Sequence, residues 1–248
     1  MDKFVSLLTE FEFQRTREPI SSDRPLVIHG VAGCGKSTLV LKFLRLEPSA
    51  SAFTSAKESA RNLLGRQIEP ITSLPAEIPN DRILLLDEYP KANLRDPWNL
   101  KSFQVLLCDP LQFQEQVLPA HYISNVSKRF GKNTCDLLKA KLDITCSSSR
   151  FDSVTEASCY EVDPEGHVIG LDTDICHLAR QHSLSTDDPT NCLGQTYPTV
   201  TVLSCEASLK HVPQHLAYIA LTRHRTKLII LSPNYEPLKS EHASDSST

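Results

Sequence analysis

The sequence predicts an α/β fold built on parallel strands, and three observations predict it. Gly30, Gly33 and Gly35 crowd into "HGVAGCGKSTL", between an apolar run and a helix-like run, although the 248 residues hold only 8 glycines. Two more apolar runs, "RILLLDEYP" and "SFQVLLCDPLQF", lead into acids, the pattern of strands buried on both faces with chemistry at their carboxyl ends. Beyond residue 116 a further alternation of strand-like and helix-like runs implies a second α/β layer.

Each element has its own signal. Residues 3–13 place apolar side chains at 4, 7, 8 and 11, one helix face. "RPLVIHG" is a strand entering the glycine loop, and "STLVLKFLR" is the helix leaving it, stopped by Pro48. "SAFTS" reads as a short strand and "AKESARNLL" as a helix. Pro70, Pro75 and Pro79 make 66–82 a loop or linker. "RILLLDEYP" and "SFQVLLCDPLQF" then complete the first layer. In the second layer, "HYISNVSKRFG" is a strand and basic turn, and "KNTCDLLKAKL" a helix. "CYEVDPEGHVIGLD" has the form of a hairpin turned at "DPEG". "DICHLARQH" reads as a helix, "SLSTDDPTNCLGQ" as a polar loop and "TVTVLS" as a strand. "PQHLAYIALTRHR" opens with proline, as helices often do, and "KLIILS" is the last strand. The expected division is 1–115, with a short N-terminal helix, 116–236, and a disordered polar tail over 237–248.

Composition narrows the class. Hydrophobic residues make up 40% and charged residues 23%, ordinary for a globular protein with a real core. The net charge of −4 gives no overall basic field. A local basic cleft still suffices to draw in phosphates, and six Lys or Arg against Asp136 and Asp143 between 123 and 150 could supply one. Eight scattered cysteines without a C-x-x-C pair, and an N-terminus without a long apolar core, point to reduced thiols in a cytosolic setting. No unbroken apolar window approaches 18 residues, so no membrane span is expected. The pairs His211/His215 and His177/His182 lack the partners of a zinc motif and read as surface histidines.

The chemistry starts at Gly30-x-x-x-x-Gly35-Lys36-Ser37, a complete P-loop pattern. Backbone N–H groups and a helix start cradle phosphate there. The expected ATP contacts are Gly30, Val31, Ala32, Gly33, Cys34, Gly35, Lys36, Ser37 and Thr38. Lys36 reaches the β- and γ-phosphates, and Ser37 ligates Mg²⁺ together with Asp87 of "LLLDEYP". Glu88 follows as a base for an attacking water, which favours hydrolysis over transfer to a second substrate. Asp109 and Gln112 stand at the next strand end, where a glutamine can sense the γ-phosphate. Lys128 and Arg129 lie on a turn, and Arg223 and Arg225 at the end of a helix, from which arginine can reach a transferring phosphoryl group. Gly194 and Thr196 occupy a polar turn suited to a nucleic-acid backbone, or to a plain loop. A protein that binds RNA and partners with an idle P-loop, and a small-molecule kinase, are the competing readings.

Taken in order, "GVAGCGKST", "LLLDEYP", "CDPLQF", "SKRFG", "GQTYPTV" and "YIALTRHR" resemble the motifs of superfamily 1 RNA helicases of positive-strand RNA viruses. In a chain this short they are similar, in particular, to the first triple-gene-block proteins of potexvirus and carlavirus type. The resemblance runs from about 25 to 232. It implies two RecA-like domains and an ATPase using ATP and Mg²⁺, with Glu88 and Gln112 at the reacting phosphate. It also implies Arg129 and Arg223 as arginine fingers, and RNA contacts at Lys128, Thr196 and Arg225. Further implications are cell-to-cell movement of a viral genome through plasmodesmata, suppression of host RNA silencing, and residence in the host cytoplasm. Self-association and contacts with other viral movement proteins, coat protein and host silencing factors belong to the same set. The third motif departs from the family at its first position, where Cys108 replaces glycine and loses its backbone freedom.

Overall fold

A continuous apolar strand needs cover on both faces, and the chain supplies it with helices and long connections. The computed structural model describes residues 1–56, 62–63, 66–79, 81–94 and 98–235. The first half runs α1 (Asp2–Glu10), β1 (Gln14–Arg15), β2 (Leu26–Gly30), α2 (Lys36–Leu46), β3 (Ala50–Thr54), β4 (Asn62–Leu63), β5 (Arg66–Gln67), β6 (Glu69–Pro70), β7 (Ile83–Asp87), β8 (Val105–Cys108) and β9 (Tyr122–Ser124). The second half runs α3 (Lys132–Leu142), β10 (Ser153–Ser158), β11 (His167–Gly170), α4 (Thr173–Gln181), β12 (Tyr197–Leu203), α5 (Gln214–Leu221) and β13 (His224–Ser232).

Seven strands form the first sheet in the order β1-β9-β2-β8-β7-β3-β6, parallel except for the β1–β9 pair. One face packs Ile28, Leu85 and Leu107 against Phe4 and Leu8 of α1 and Leu39, Val40, Phe43 and Leu44 of α2. The other face packs Val27, Leu84, Leu86 and Leu106 against Phe103, Tyr89 and Phe113. The second sheet, β10-β13-β12-β11, is parallel throughout and is also covered on both faces. Ala32, at the tip of the glycine loop, packs into the core of the second sheet, and Leu111 touches the cores of both.

Several expectations change. Tyr122–Ser124 joins the first sheet between β1 and β2, so the first layer runs past residue 115. Within the expected helix over 56–64, Asn62–Leu63 instead pairs antiparallel with Arg66–Gln67, while residues 57–61 and 64 lie outside the described residues. The proline-rich stretch is more than a linker. Glu69–Pro70 adds an edge strand beside β3, the position where a missing N–H is tolerated, and Ile68 is buried. The predicted hairpin at "DPEG" does not form, because β10 and β11 lie at opposite edges of the second sheet. Gly166 there has φ 69°, and a Cβ on it would stand 2.4 Å from the Thr199 carbonyl oxygen. The local turn signal was real, but strand pairing is a long-range choice that it does not decide. Arg223 and Arg225 are not on a helix, since α5 ends at Leu221. The tail from 236 lies outside the described residues.

Candidate nucleotide site

The site grows from the carboxyl ends of β2, β7 and β8, adjacent parallel strands, where ligands bind in such sheets. β2 ends at Gly30, and the loop turns through Gly33 (φ 78°) and Gly35 (φ 103°) before α2 begins at Lys36. A Cβ on Gly33 would lie 2.3 Å from the Arg129 Cβ, so only glycine fits against that neighbour. No side chain caps α2, which leaves its first N–H groups available to an anion. The buried Lys36 ammonium donates to the Gly30 carbonyl at 2.6 Å. Burial opposes its charge, but Cys34, Asp109, Glu88 and Asp87 outweigh that and hold its pKa above the ordinary lysine value.

Asp87 ends β7 opposite this loop, and the Ser37 hydroxyl donates to its Oδ2 at 3.4 Å. Two facing oxygens are the hard donor set that Mg²⁺ takes. Glu88 follows with φ 56°, its carbonyl accepting from the Ser55 hydroxyl and its N–H donating to Asp87 Oδ1 at 3.1 Å. Its Oε2 is buried without a hydrogen-bond partner. Burial first, then the Asp87 charge, pushes the Glu88 carboxyl up to about 8. Beyond β8, Gln112 donates to Asp109 Oδ2 at 2.7 Å while its own Oε1 is buried and unpartnered. The Tyr218 hydroxyl donates to the same Asp109 oxygen at 2.9 Å and accepts from the Ala32 N–H at 2.9 Å. One tyrosine on α5 thus joins the glycine loop to the third strand end.

The second half closes the cleft. Lys128 N–H donates to the Gly33 carbonyl at 2.9 Å, and the Ser127 hydroxyl to the Ala32 carbonyl at 3.0 Å. Arg129 donates to the Thr222 carbonyl at 3.2 Å. Arg223 is 1% exposed, with Nε on the Ile219 carbonyl at 3.0 Å, Nη2 on Thr222 Oγ1 at 3.0 Å and Nη1 on the Cys192 carbonyl at 3.4 Å. Lys128 lies 3.7 Å from Glu12 and over the ring of Phe11.

A cleft of about 300 Å³ gathers these groups. Of the sequence candidates it is lined by Ala32, Gly33, Gly35, Lys36, Ser37, Thr38, Asp87, Glu88, Gln112, Lys128, Arg129, Thr196, Arg223 and Arg225. Gly30, Val31 and Cys34 lie outside its wall. Gly30 and Val31 face a neighbouring hollow, and Cys34 is buried in the first core. Phe11, Ala56, Arg150 and Gly194 complete the lining. Arg150 and Phe11 carry no local motif that marks them as site residues in the sequence. Tyr218 opens "YIALTRHR", where its apolar helix conceals a polar role. Cys108 stays in the regular β8 ladder opposite His29, without positive φ, and packs by Tyr89 in the apolar face. Glycine's freedom is unused at that position. The residues fit a nucleoside triphosphate with Mg²⁺: the uncapped start of α2 and Lys36 suit the phosphates, the Ser37–Asp87 pair suits the ion, and the unpartnered acceptor oxygens of Glu88 and Gln112 suit an attacking water.

Fold and site together define a class. Residues 26–232 match the viral superfamily 1 RNA helicase core domain. The chain belongs to that family, and within it to the relatives of potexviral movement and silencing proteins. It is 40% identical over 237 residues to the movement and silencing protein TGBp1 of Papaya mosaic potexvirus, covering 95% of this chain and 97% of that protein. It is 38% identical over 223 residues to TGBp1 of Lily virus X, covering 89% and 95%. In fold it is similar to the arterivirus nonstructural protein 10 helicase in complex with DNA, with a TM-score of 0.57 at 18% identity. That match covers 85% of this chain and 61% of the helicase, so the chain spans about three fifths of the solved structure's length.

Proposed function

We propose that the chain is an ATPase of RNA-helicase type, built as two RecA-like domains over residues 1–124 and 125–235, with ATP bound between them. Lys36 and the start of α2 bind the phosphates, and Ser37 and Asp87 hold Mg²⁺. The ion supplies charge neutralisation to the phosphate oxygens. Glu88 orients a water and takes its proton on Oε2, while Gln112 contacts the γ-phosphate. Arg129 and Arg223, both bonded to the turn around Thr222, stabilise the transferring charge from the second domain. Lys128, Thr196 and Arg225, also on the cleft wall, hold the backbone of single-stranded RNA. In its biological setting this motor serves cell-to-cell movement of a viral genome and suppression of host RNA silencing. It acts in the host cytoplasm and at plasmodesmata, through self-association and contacts with other viral movement proteins, coat protein and host silencing factors. Homology to the TGBp1 proteins supports that setting. Among the described residues no helix is long and apolar enough to cross a membrane.

The observation that carries the reading is the pair of buried, unpartnered oxygens, Glu88 Oε2 and Gln112 Oε1, on a cleft that also presents Lys36, Arg129 and Arg223. The test is ATP turnover with and without single-stranded RNA, comparing the wild type with Lys36→Ala. Turnover should fall about 100-fold in the variant. Wild-type turnover no higher than the variant's would leave only RNA and partner binding. Phosphate appearing on a nucleoside instead of in solution would identify a kinase.

A further inference from the structure

Away from the phosphate contacts, three side chains from separate segments converge at the β11 edge of the second sheet. His167 opens β11, Asp187 bridges to that strand, and Cys192 ends a short 3-10 turn over Pro189–Cys192. His167 Nε2 lies 3.0 Å from Asp187 Oδ2 and 3.6 Å from Cys192 Sγ, and all three donor atoms fall within 4.8 Å of one another. We propose that His167, Asp187 and Cys192 bind a zinc ion, with a water at the fourth corner.

The spacing carries the assignment. Around tetrahedral zinc, bonds of about 2.0–2.1 Å to nitrogen and oxygen and about 2.3 Å to sulfur put the donors roughly 3.3–3.6 Å apart. The nitrogen–sulfur separation already matches, and the nitrogen–oxygen pair needs only a small opening. Thiolate and imidazole together select zinc over Mg²⁺, unlike the all-oxygen pair Ser37 and Asp87. On binding, the Cys192 thiol, which donates to the Asp188 carbonyl at 3.6 Å, releases its proton to solvent as the metal–sulfur bond forms. His167 exchanges the Nε2–H that faces Asp187 for the Nδ1–H tautomer, so that Nε2 can bind.

The donors are held before any ion arrives. Asp187 N–H donates to the Val168 carbonyl at 2.9 Å, and its own carbonyl accepts from Gly170 N–H at 3.0 Å. The Tyr197 ring stacks on His167 with centroids 3.8 Å apart and planes nearly parallel, and fixes the imidazole plane. Cys192 is fully buried whereas the Asp187 side chain is 51% exposed, so the open corner faces solvent. The ion would clamp the segment that borders the nucleotide cleft. The Cys192 carbonyl accepts from Arg223, and Gly194 and Thr196 follow on the cleft wall. The sequence conceals this set because its members are 20 and 5 residues apart on three segments, and the closely spaced histidine pairs lie elsewhere.

The test uses the full chain, stripped with chelator, held in saturating Mg²⁺ and titrated with Co²⁺ as a spectroscopic stand-in. One Co²⁺ should bind per chain with a thiolate-to-cobalt charge-transfer band that Zn²⁺ displaces. Cys192→Ser should abolish the band and Cys159→Ser should leave it. Asp187→Asn, altered at an exposed side chain and so expected to fold, should weaken Co²⁺ binding at least about tenfold. Absence of the band in the wild type, its survival in Cys192→Ser, or unchanged affinity in Asp187→Asn overturns the site.

Discussion

Glu88 holds a buried carboxylate oxygen that accepts no hydrogen bond, and burial keeps its proton on well above the ordinary carboxylate range. A base must lose that proton to act, so the sign follows: activity is low where Glu88 is protonated and rises with pH through about 8. Because kcat/KM reports the free enzyme, its profile for ATP should show this rise. Glu88→Gln should lower turnover about 10²–10⁴-fold and flatten the profile. The same rise persisting in the variant would assign the ionisation to another group. The adjacency of Asp87 and Glu88 was legible in "LLLDEYP", because a strand end fixes which atoms meet the glycine loop. Arg223 was less legible. Its residue type pointed to a cleft, but its burial depends on Cys192, Ile219 and Thr222 enclosing the guanidinium.

Among the elements, α3 shows how a helix start can depend on a residue far along the chain. Its N-cap is Gly131, which has no side chain to offer. Asp152 supplies the cap instead, accepting from Gly131 N–H at 2.7 Å, Asn133 N–H at 3.1 Å and the Thr134 hydroxyl at 2.6 Å. His224, at the start of β13, lies 3.0 Å from the same carboxylate. Burial raises the Asp152 carboxyl, but the His224, Thr134 and Gly131 hydrogen bonds outweigh it and hold the pKa at about 2. A depressed folded-state value means stability that is present at neutral pH and lost as pH falls from the ordinary carboxylate range toward about 2. Asp152→Asn should therefore cost about 1.5–3 kcal/mol at pH 7 in urea unfolding, the range for hydrogen bonds to a charged group. The difference should shrink near pH 3. Periodicity exposed "KNTCDLLKAKL" as a helix, yet nothing local exposed its cap. The same limit explains "DPEG": a turn signal is local, while the choice of β12 over β10 as neighbour of β11 belongs to the whole sheet.

For the whole molecule, the question is what makes two sheets respond as one. The order of motifs placed the chemistry at strand ends but was silent on the tie between halves. Besides the Ser127 and Lys128 bonds to the glycine loop, one tie is Tyr218, buried on α5, whose hydroxyl accepts from Ala32 of that loop and donates to Asp109, which in turn accepts from Gln112. Burial and the neighbouring Asp109 keep the phenol protonated, so the hydroxyl remains a donor to the carboxylate. A nucleotide touching Gln112 would thereby pull on a helix of the second half through two hydrogen bonds. Tyr218→Phe keeps the ring and removes only the hydroxyl, leaving the Ala32 donor and one Asp109 bond unmet, at a cost of about 1–3 kcal/mol. If the chain of bonds is one unit, Tyr218→Phe and Asp109→Asn must not add. A double-mutant cycle on urea unfolding should return a coupling of about 0.5–3 kcal/mol, whereas strict additivity would mean that Tyr218 only fills space. Nucleotide affinity provides the second arm. It should fall less in Tyr218→Phe than turnover does, since the phosphate contacts at Lys36 and Ser37 remain while the hydroxyl's link from Ala32 and Asp109 to α5 is cut.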